Sequence, residues 1–161
     1  GPELREFTHQ IAVERRKENL QPCGVGEAVT TPGFNLPFEN LVHVVGPDCR
    51  RPNQDNFRRD LLKQSYVAMF NQIEAVKKRE TLVMPPICMD IFAYPHREGA
   101  RMTMEIVLAW MDEGEDPGTD MVLIVTDDNQ FLNNMKTVYR ESEDRFPGID
   151  RTRAFRKGKY P

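Results

Sequence analysis

The residues best suited to chemistry gather in one short segment, Met84-Pro85-Pro86-Ile87-Cys88-Met89-Asp90-Ile91-Phe92-Ala93-Tyr94-Pro95. Asp90 is its one acid, and a carboxylate in a loop can orient a water or take its proton. Phe92 and Tyr94 offer aromatic surfaces, and Cys88 offers a sulfur. A second acidic pair, Asp127-Asp128, follows the apolar run Met121–Val125 and Thr126. Its distance from the next helical pattern is that of an N-cap, so helix capping is its expected role. His9, His43 and His96, and Cys23, Cys49 and Cys88, show no ligand spacing. Neither a metal site nor a disulfide framework is expected from them. The cysteines read as buried or half-buried small hydrophobes, and His43, inside an apolar run, as a core histidine. There is no G-x-S-x-G elbow and no P-loop, and Gly24-x-Gly26 precedes a strand pattern where a dinucleotide fingerprint would precede a helix. No cofactor is implied.

Charge is distributed unevenly. The chain has 161 residues with 22 Lys+Arg, 25 Asp+Glu and a net charge of −3, which excludes a uniformly basic nucleic-acid binder. Arg151, Arg153, Arg156, Lys157 and Lys159 sit in the final stretch with no acid beside them, and Phe155 and Tyr160 are interleaved. Such a tail suits phosphate contacts with base stacking, or a surface-adhering terminus. Glu113, Glu115 and Asp116 read as a solvated loop. No apolar run approaches the ~20 residues of a bilayer crossing, so no membrane partner is expected. Reduced cysteines point to an intracellular setting, cytoplasmic or nuclear.

The elements that must position these residues follow from periodicity. Leu4, Phe7 and Ile11 predict a helix over 3–19, ended near Pro22, Gly24 and Gly26. Residues 27–31 predict a short strand, turned by Thr31-Pro32-Gly33. The run Leu41–Val45, closed by Gly46-Pro47, predicts a strand buried on both faces, as in a parallel sheet. Phe57, Leu61, Leu62, Tyr66, Met69, Phe70, Ile73 and Val76 form the core stripe of a long helix. Thr81–Met84 and Met121–Val125 predict two further buried strands. Helices over 97–112 and 130–143 turn Met102, Ile106, Ala109 and Trp110, and Phe131, Met135, Val138 and Tyr139, inward. Alternating strands and helices define an α/β fold with helices on both faces of a mixed or parallel sheet. In such folds ligands sit beyond the carboxyl ends of the strands, so the loops to watch are 46–56, 85–95 and 126–130. Residues 1–148 are expected to form the domain and 149–161 a basic tail.

Two stretches together resemble the macro domain family. One is Cys23-Gly24-Val25-Gly26-Glu27-Ala28-Val29-Thr30-Thr31-Pro32-Gly33-Phe34-Asn35-Leu36-Pro37 with Val42-His43-Val44-Val45-Gly46-Pro47; the other is the 84–95 segment. The resemblance covers about residues 3–145. It implies a three-layer αβα domain, N-terminally shortened, that binds ADP-ribose. In this family backbone N–H groups of glycine-rich loops cradle a diphosphate. On that pattern the ligand-binding positions are Cys88, Asp90, Ile91, Phe92, Ala93, Tyr94 and Thr126. The family's usual N-terminal strands and Gly-rich loop have no counterpart here. Cys88, Asp90 and Ala93 replace the family's Ser and two Gly, and Thr126 stands where an aromatic ring often flanks the adenine. A degenerate site is therefore expected.

The reading that follows is a non-catalytic macro-like module recognising ADP-ribose or a related nucleotide, or diverged toward protein or nucleic-acid partners. The alternative is an ADP-ribosyl hydrolase using the 85–95 loop, with Asp90 as its acid. An exposed sheet edge would also permit dimerisation.

Overall fold

The computed structural model describes residues 1–50, 55–76, 80–113 and 119–151. Helix α1, Pro2–Lys17, starts with proline in its first turn and ends on Arg15, Arg16 and Lys17, which complement the C-terminal end of the helix dipole. It lies against strand β1, Ala28–Pro32. The chain then reverses through a loop closed by Gly33 N–H donating to the Glu39 carbonyl at 2.9 Å. A Cβ at Gly33 would stand 1.7 Å from the Phe38 carbonyl oxygen, so only glycine fits this turn. Strand β2, Asn40–Val44, pairs antiparallel with β1, with Thr30 opposite Val42 and Ala28 opposite Val44.

This corrects the expectation drawn from the 41–45 run. The strand is half-buried and antiparallel, not sandwiched in a parallel sheet. One face, with Val42 and Val44, packs on the core, and Thr30 Oγ1 donates to Gln72 Oε1 at 2.9 Å. The other face carries His43, whose Nε2 lies 3.1 Å from Thr31 Oγ1. His43 is therefore partnered but only half-buried, and burial lowers its pKa.

Helix α2, Asp55–Glu74, supplies the centre of the core through Leu62, Tyr66, Met69, Phe70 and Ile73. Phe57 departs from the expected stripe: it is 70% exposed. Strands β3, Thr81–Met84, and β4, Met121–Ile124, pair in parallel. Helix α3, His96–Glu113, connects them, and α4, Asn129–Glu141, packs along α3. Met84 is buried and Leu82, Val122 and Ile124 pack on the core, but Thr81, Val83 and Met121 are exposed on the opposite side. These strands too are covered on one face only. A short 3₁₀ turn, Glu143–Arg145, follows α4.

The fold is thus α/β, built from two strand pairs, one antiparallel and one parallel, with helices layered around them. No helix among the described residues is long and apolar enough to cross a membrane.

Candidate functional site

The loop after β3 is shaped by its own backbone. Tyr94 N–H donates to the Cys88 carbonyl at 2.9 Å, and Ala93 N–H donates to the Asp90 carbonyl at 2.8 Å. The second bond closes a turn with Ile91 and Phe92 at its tip. Cys88 (φ 64°) and Ala93 (φ 51°) lie in the left-handed region that glycine adopts most easily. Ile91 is 70% exposed, Asp90 and Ala93 are exposed, and Phe92 and Cys88 are half-buried. The N–H groups of Ile91 and Phe92 have no protein acceptor among the described residues. Successive open N–H groups at the tip of such a turn can face an anion.

The neighbouring loops hold this segment from both sides. After β2, Cys49 N–H donates to the Phe92 carbonyl at 2.8 Å. Arg50, doubly hydrogen-bonded to Asp48 through Nε (2.8 Å) and Nη2 (2.5 Å), places its guanidinium 5.6 Å from the Phe92 ring centre. After β4, Asp128 caps α4 by accepting from Phe131 N–H at 2.7 Å, and its own N–H donates to Thr126 Oγ1 at 3.1 Å. The other Asp128 oxygen lies 3.2 Å from His96 Nδ1, while His96 Nε2 lies 2.6 Å from the Met89 carbonyl oxygen. The three loops expected to matter therefore meet, the first and third each anchored to the middle one.

Beneath the loop, burial decides which groups remain available. Tyr94 is 1% exposed and its hydroxyl donates to Glu98 Oε1 at 2.9 Å. Glu98 in turn pairs with Arg58 at 3.2 Å, and the Arg58 guanidinium lies 5.8 Å from the Tyr94 ring. Burial, with the Glu98 carboxylate beside it, raises the Tyr94 pKa, so the phenol stays protonated. Tyr94 thus supports the loop from inside the core. Burial, with Cys49 nearby, pushes the Cys88 thiol up to about 12, so it is neutral and not a nucleophile. Asp90 and Thr126 stand on the loops themselves, Asp90 exposed and Thr126 half-buried.

Asp128 performs the capping role its spacing implies. Arg50, Glu98 and His96 were not singled out from the sequence as parts of the site. The signals for them were faint: an arginine just past a strand end, and a histidine and glutamate opening a helix. Arg151 donates to the Tyr139 carbonyl at 2.6 Å and stacks 4.2 Å from its ring. Arg153, Arg156, Lys157 and Lys159 lie outside the described residues, as do Glu115 and Asp116. Among the described residues no group of three or more His, Cys, Asp or Glu is placed to hold a metal ion.

A family model for the macro domain matches residues 1–103. The chain belongs to the macro domain family. The macrodomain of Oceanobacillus iheyensis with ADP superposes with a TM-score of 0.73 at 21% identity, over 90% of this chain and 72% of that one. A Trypanosoma brucei macrodomain in complex with ADP-ribose gives 0.61 at 19% identity, over 83% and 55%. Among curated proteins, a Staphylococcus aureus protein-ADP-ribose hydrolase is 29% identical over 122 residues, 76% of this chain and 43% of that protein. The rat ADP-ribose glycohydrolase MACROD1 is 25% identical over 123 residues, 76% of this chain and 45% of that protein. An uncharacterized Fusobacterium nucleatum protein is 29% identical over 119 residues, 74% of this chain and 63% of that protein. The chain thus spans about half the length of these relatives.

Proposed function

We propose that this domain recognises ADP-ribose through the 85–95 loop and serves the hydrolytic class of macro domains, which release ADP-ribose from a modified acceptor. The observation that carries the reading is the Asp90–Ala93 turn, whose Ile91 and Phe92 N–H groups are open and which is anchored on both sides. Backbone donors fixed in this way stabilise a diphosphate without reorganising. The names of the Staphylococcus protein-ADP-ribose hydrolase and the rat ADP-ribose glycohydrolase support the same class. In this reading Phe92 and Ile91 line the ligand's ribose side, and Asp90 orients the attacking water as a general base.

A second reading, a binding module without catalysis, is favoured by Asp90 itself. A carboxylate on a loop that faces a diphosphate repels it, and on the family resemblance Asp90 stands in a glycine's place. Two measurements separate the readings. Titration calorimetry with ADP-ribose is expected to give a dissociation constant below about 100 µM, on the order of −5.5 kcal/mol. Incubation with an ADP-ribosylated protein is expected to release ADP-ribose, and Asp90→Asn to reduce release at least about a hundredfold. Binding without release leaves the second reading; no binding at millimolar ligand ends both.

A further inference from the structure

The His96 contacts carry a consequence for the ligand loop. Its Nε2 faces the Met89 carbonyl at 2.6 Å, and its Nδ1 faces the Asp128 carboxylate at 3.2 Å. The Nε2 contact is a hydrogen bond to a carbonyl that only accepts, so it needs a proton on Nε2, and the Nδ1 contact is an ion pair only when both ring nitrogens carry protons. The neutral ring keeps one of them. With its single proton on Nε2 it turns a bare Nδ1 lone pair toward Asp128, and with the proton on Nδ1 it releases Met89. The geometry points to His96 as a positioning residue: as the cation, it ties Met89, and with it the Asp90–Ala93 turn, to the β4–α4 connection.

The surroundings make this a directed contact. Asp128 is fixed by capping α4, and the His96 ring stands edge-on to Phe131 with centroids 6.1 Å apart. The Met89 side chain is buried against the first turn of α3, where a Cβ at Gly99 would meet its Cε at 2.1 Å. The charged residues adjoining these contacts along the chain are Asp127 after β4, Asp90 on the loop, and Arg97 and Glu98 at the start of α3, with Arg58 of α2 held through Glu98; Arg101 and Glu105 follow on α3, and Lys136 and Arg140 on α4. The inference rests on the preceding reading only in taking 85–95 as the ligand loop.

The test is an NMR pH series on the labelled, ligand-free chain from about pH 5 to about pH 8, with the His96 ring signals followed in the same samples. The Met89 carbonyl and the Asp90 and Ile91 amide shifts are expected to follow the His96 ring. Asp128→Asn keeps the cap, because asparagine caps as well as aspartate. It also removes the carboxylate charge from the ion pair, so the loop is expected to lose its dependence on the charge of the ring and its shifts to flatten. His96→Phe keeps the ring packing and is expected to abolish the response. ADP-ribose is expected to bind wild type roughly fivefold more tightly at the acidic end, the effect of one half-exposed ion pair, and Asp128→Asn equally at both. Loop shifts that stay flat while His96 titrates overturn the inference, whether or not ADP-ribose binds. Loop shifts that follow His96 without any ADP-ribose binding uphold it and sink the functional reading instead.

Discussion

Gly46 and Cys88 show how narrowly single residues are constrained beside the candidate site. A Cβ on Gly46 would lie 2.3 Å from Cys88 Sγ and 3.1 Å from Ile87 Cγ2, so the loop after β2 and the loop after β3 are packed to contact. Cys88 also sits at φ 64°, a conformation that costs a side-chain-bearing residue roughly 1–2 kcal/mol. Its thiol, held neutral by burial, acts as filler between the two loops. Gly46→Ala is expected to destabilise the domain by about 1–3 kcal/mol through overpacking. In a Cys88→Gly background the same change should cost far less, because the obstructing sulfur is gone and the backbone is relaxed. Urea denaturation of the four proteins in this cycle measures the coupling. A coupling energy near zero would show that the two residues do not share the space.

At the scale of elements, α2 joins the β1–β2 pair to α3 and to the loop after β3. Ser65 Oγ lies within hydrogen-bond distance of both the Val45 carbonyl (3.2 Å) and the Leu61 carbonyl (2.7 Å). The next residue, Tyr66, meets Thr103 Oγ1 of α3 at 2.6 Å and accepts from Ile87 N–H at 3.4 Å. One turn of α2 thus touches the end of β2, the loop after β3 and the middle of α3. Burial raises the Tyr66 hydroxyl from 10.0 to about 12. The native state therefore holds this proton at pH values where the unfolded chain has lost it. Its contribution to stability is full below about pH 10 and falls as pH rises toward about 12. Tyr66→Phe is expected to lower stability at neutral pH by about 1–3 kcal/mol, since Thr103 and the Ile87 N–H lose their partner. It should also make the melting temperature less sensitive to alkali, and an unchanged alkaline slope would remove Tyr66 as the cause. The α2 stripe was legible because Leu62, Tyr66, Met69, Phe70 and Ile73 recur at helical spacing, which local sequence records. Phe57 misled because it continues that spacing into the first turn, where it stays exposed. The direction of β2 was not legible, since an apolar run satisfies a parallel or an antiparallel partner alike. The 85–95 loop was marked by its place after an apolar strand and by its resemblance to the family's segment. The His96 contacts were not, because residues 89, 96 and 128 are brought together only by the tertiary fold.

Across the whole molecule, two strand pairs rather than one continuous sheet decide which backbone groups are protected. Gly33 N–H to the Glu39 carbonyl and Val45 N–H to the Glu27 carbonyl bracket the β1–β2 ladder. In the antiparallel register between them Leu41 and His43 bond to β1, while the N–H groups of Val42 and Val44 point to the opposite edge. On β3, the Glu80 and Met84 carbonyls accept from Met121 and Val125 N–H, so Leu82 and Met84 face β4 and Thr81 and Val83 face away. Gly46, just past β2, packs against Ile87 and Cys88, just past β3, so the ends of the two pairs lie side by side. Among the described residues these edges have no partner strand, and edges of this kind are open to strand addition. Amide exchange of the dilute chain is expected to alternate along each strand. Val42, Val44, Thr81 and Val83 should exchange at least about tenfold faster than Leu41, His43, Leu82 and Met84, because local opening is not needed to expose them. Uniform protection along both strands would contradict the two-pair arrangement. Edge protection that grows with protein concentration would locate a second copy on these strands, because only an intermolecular partner depends on concentration.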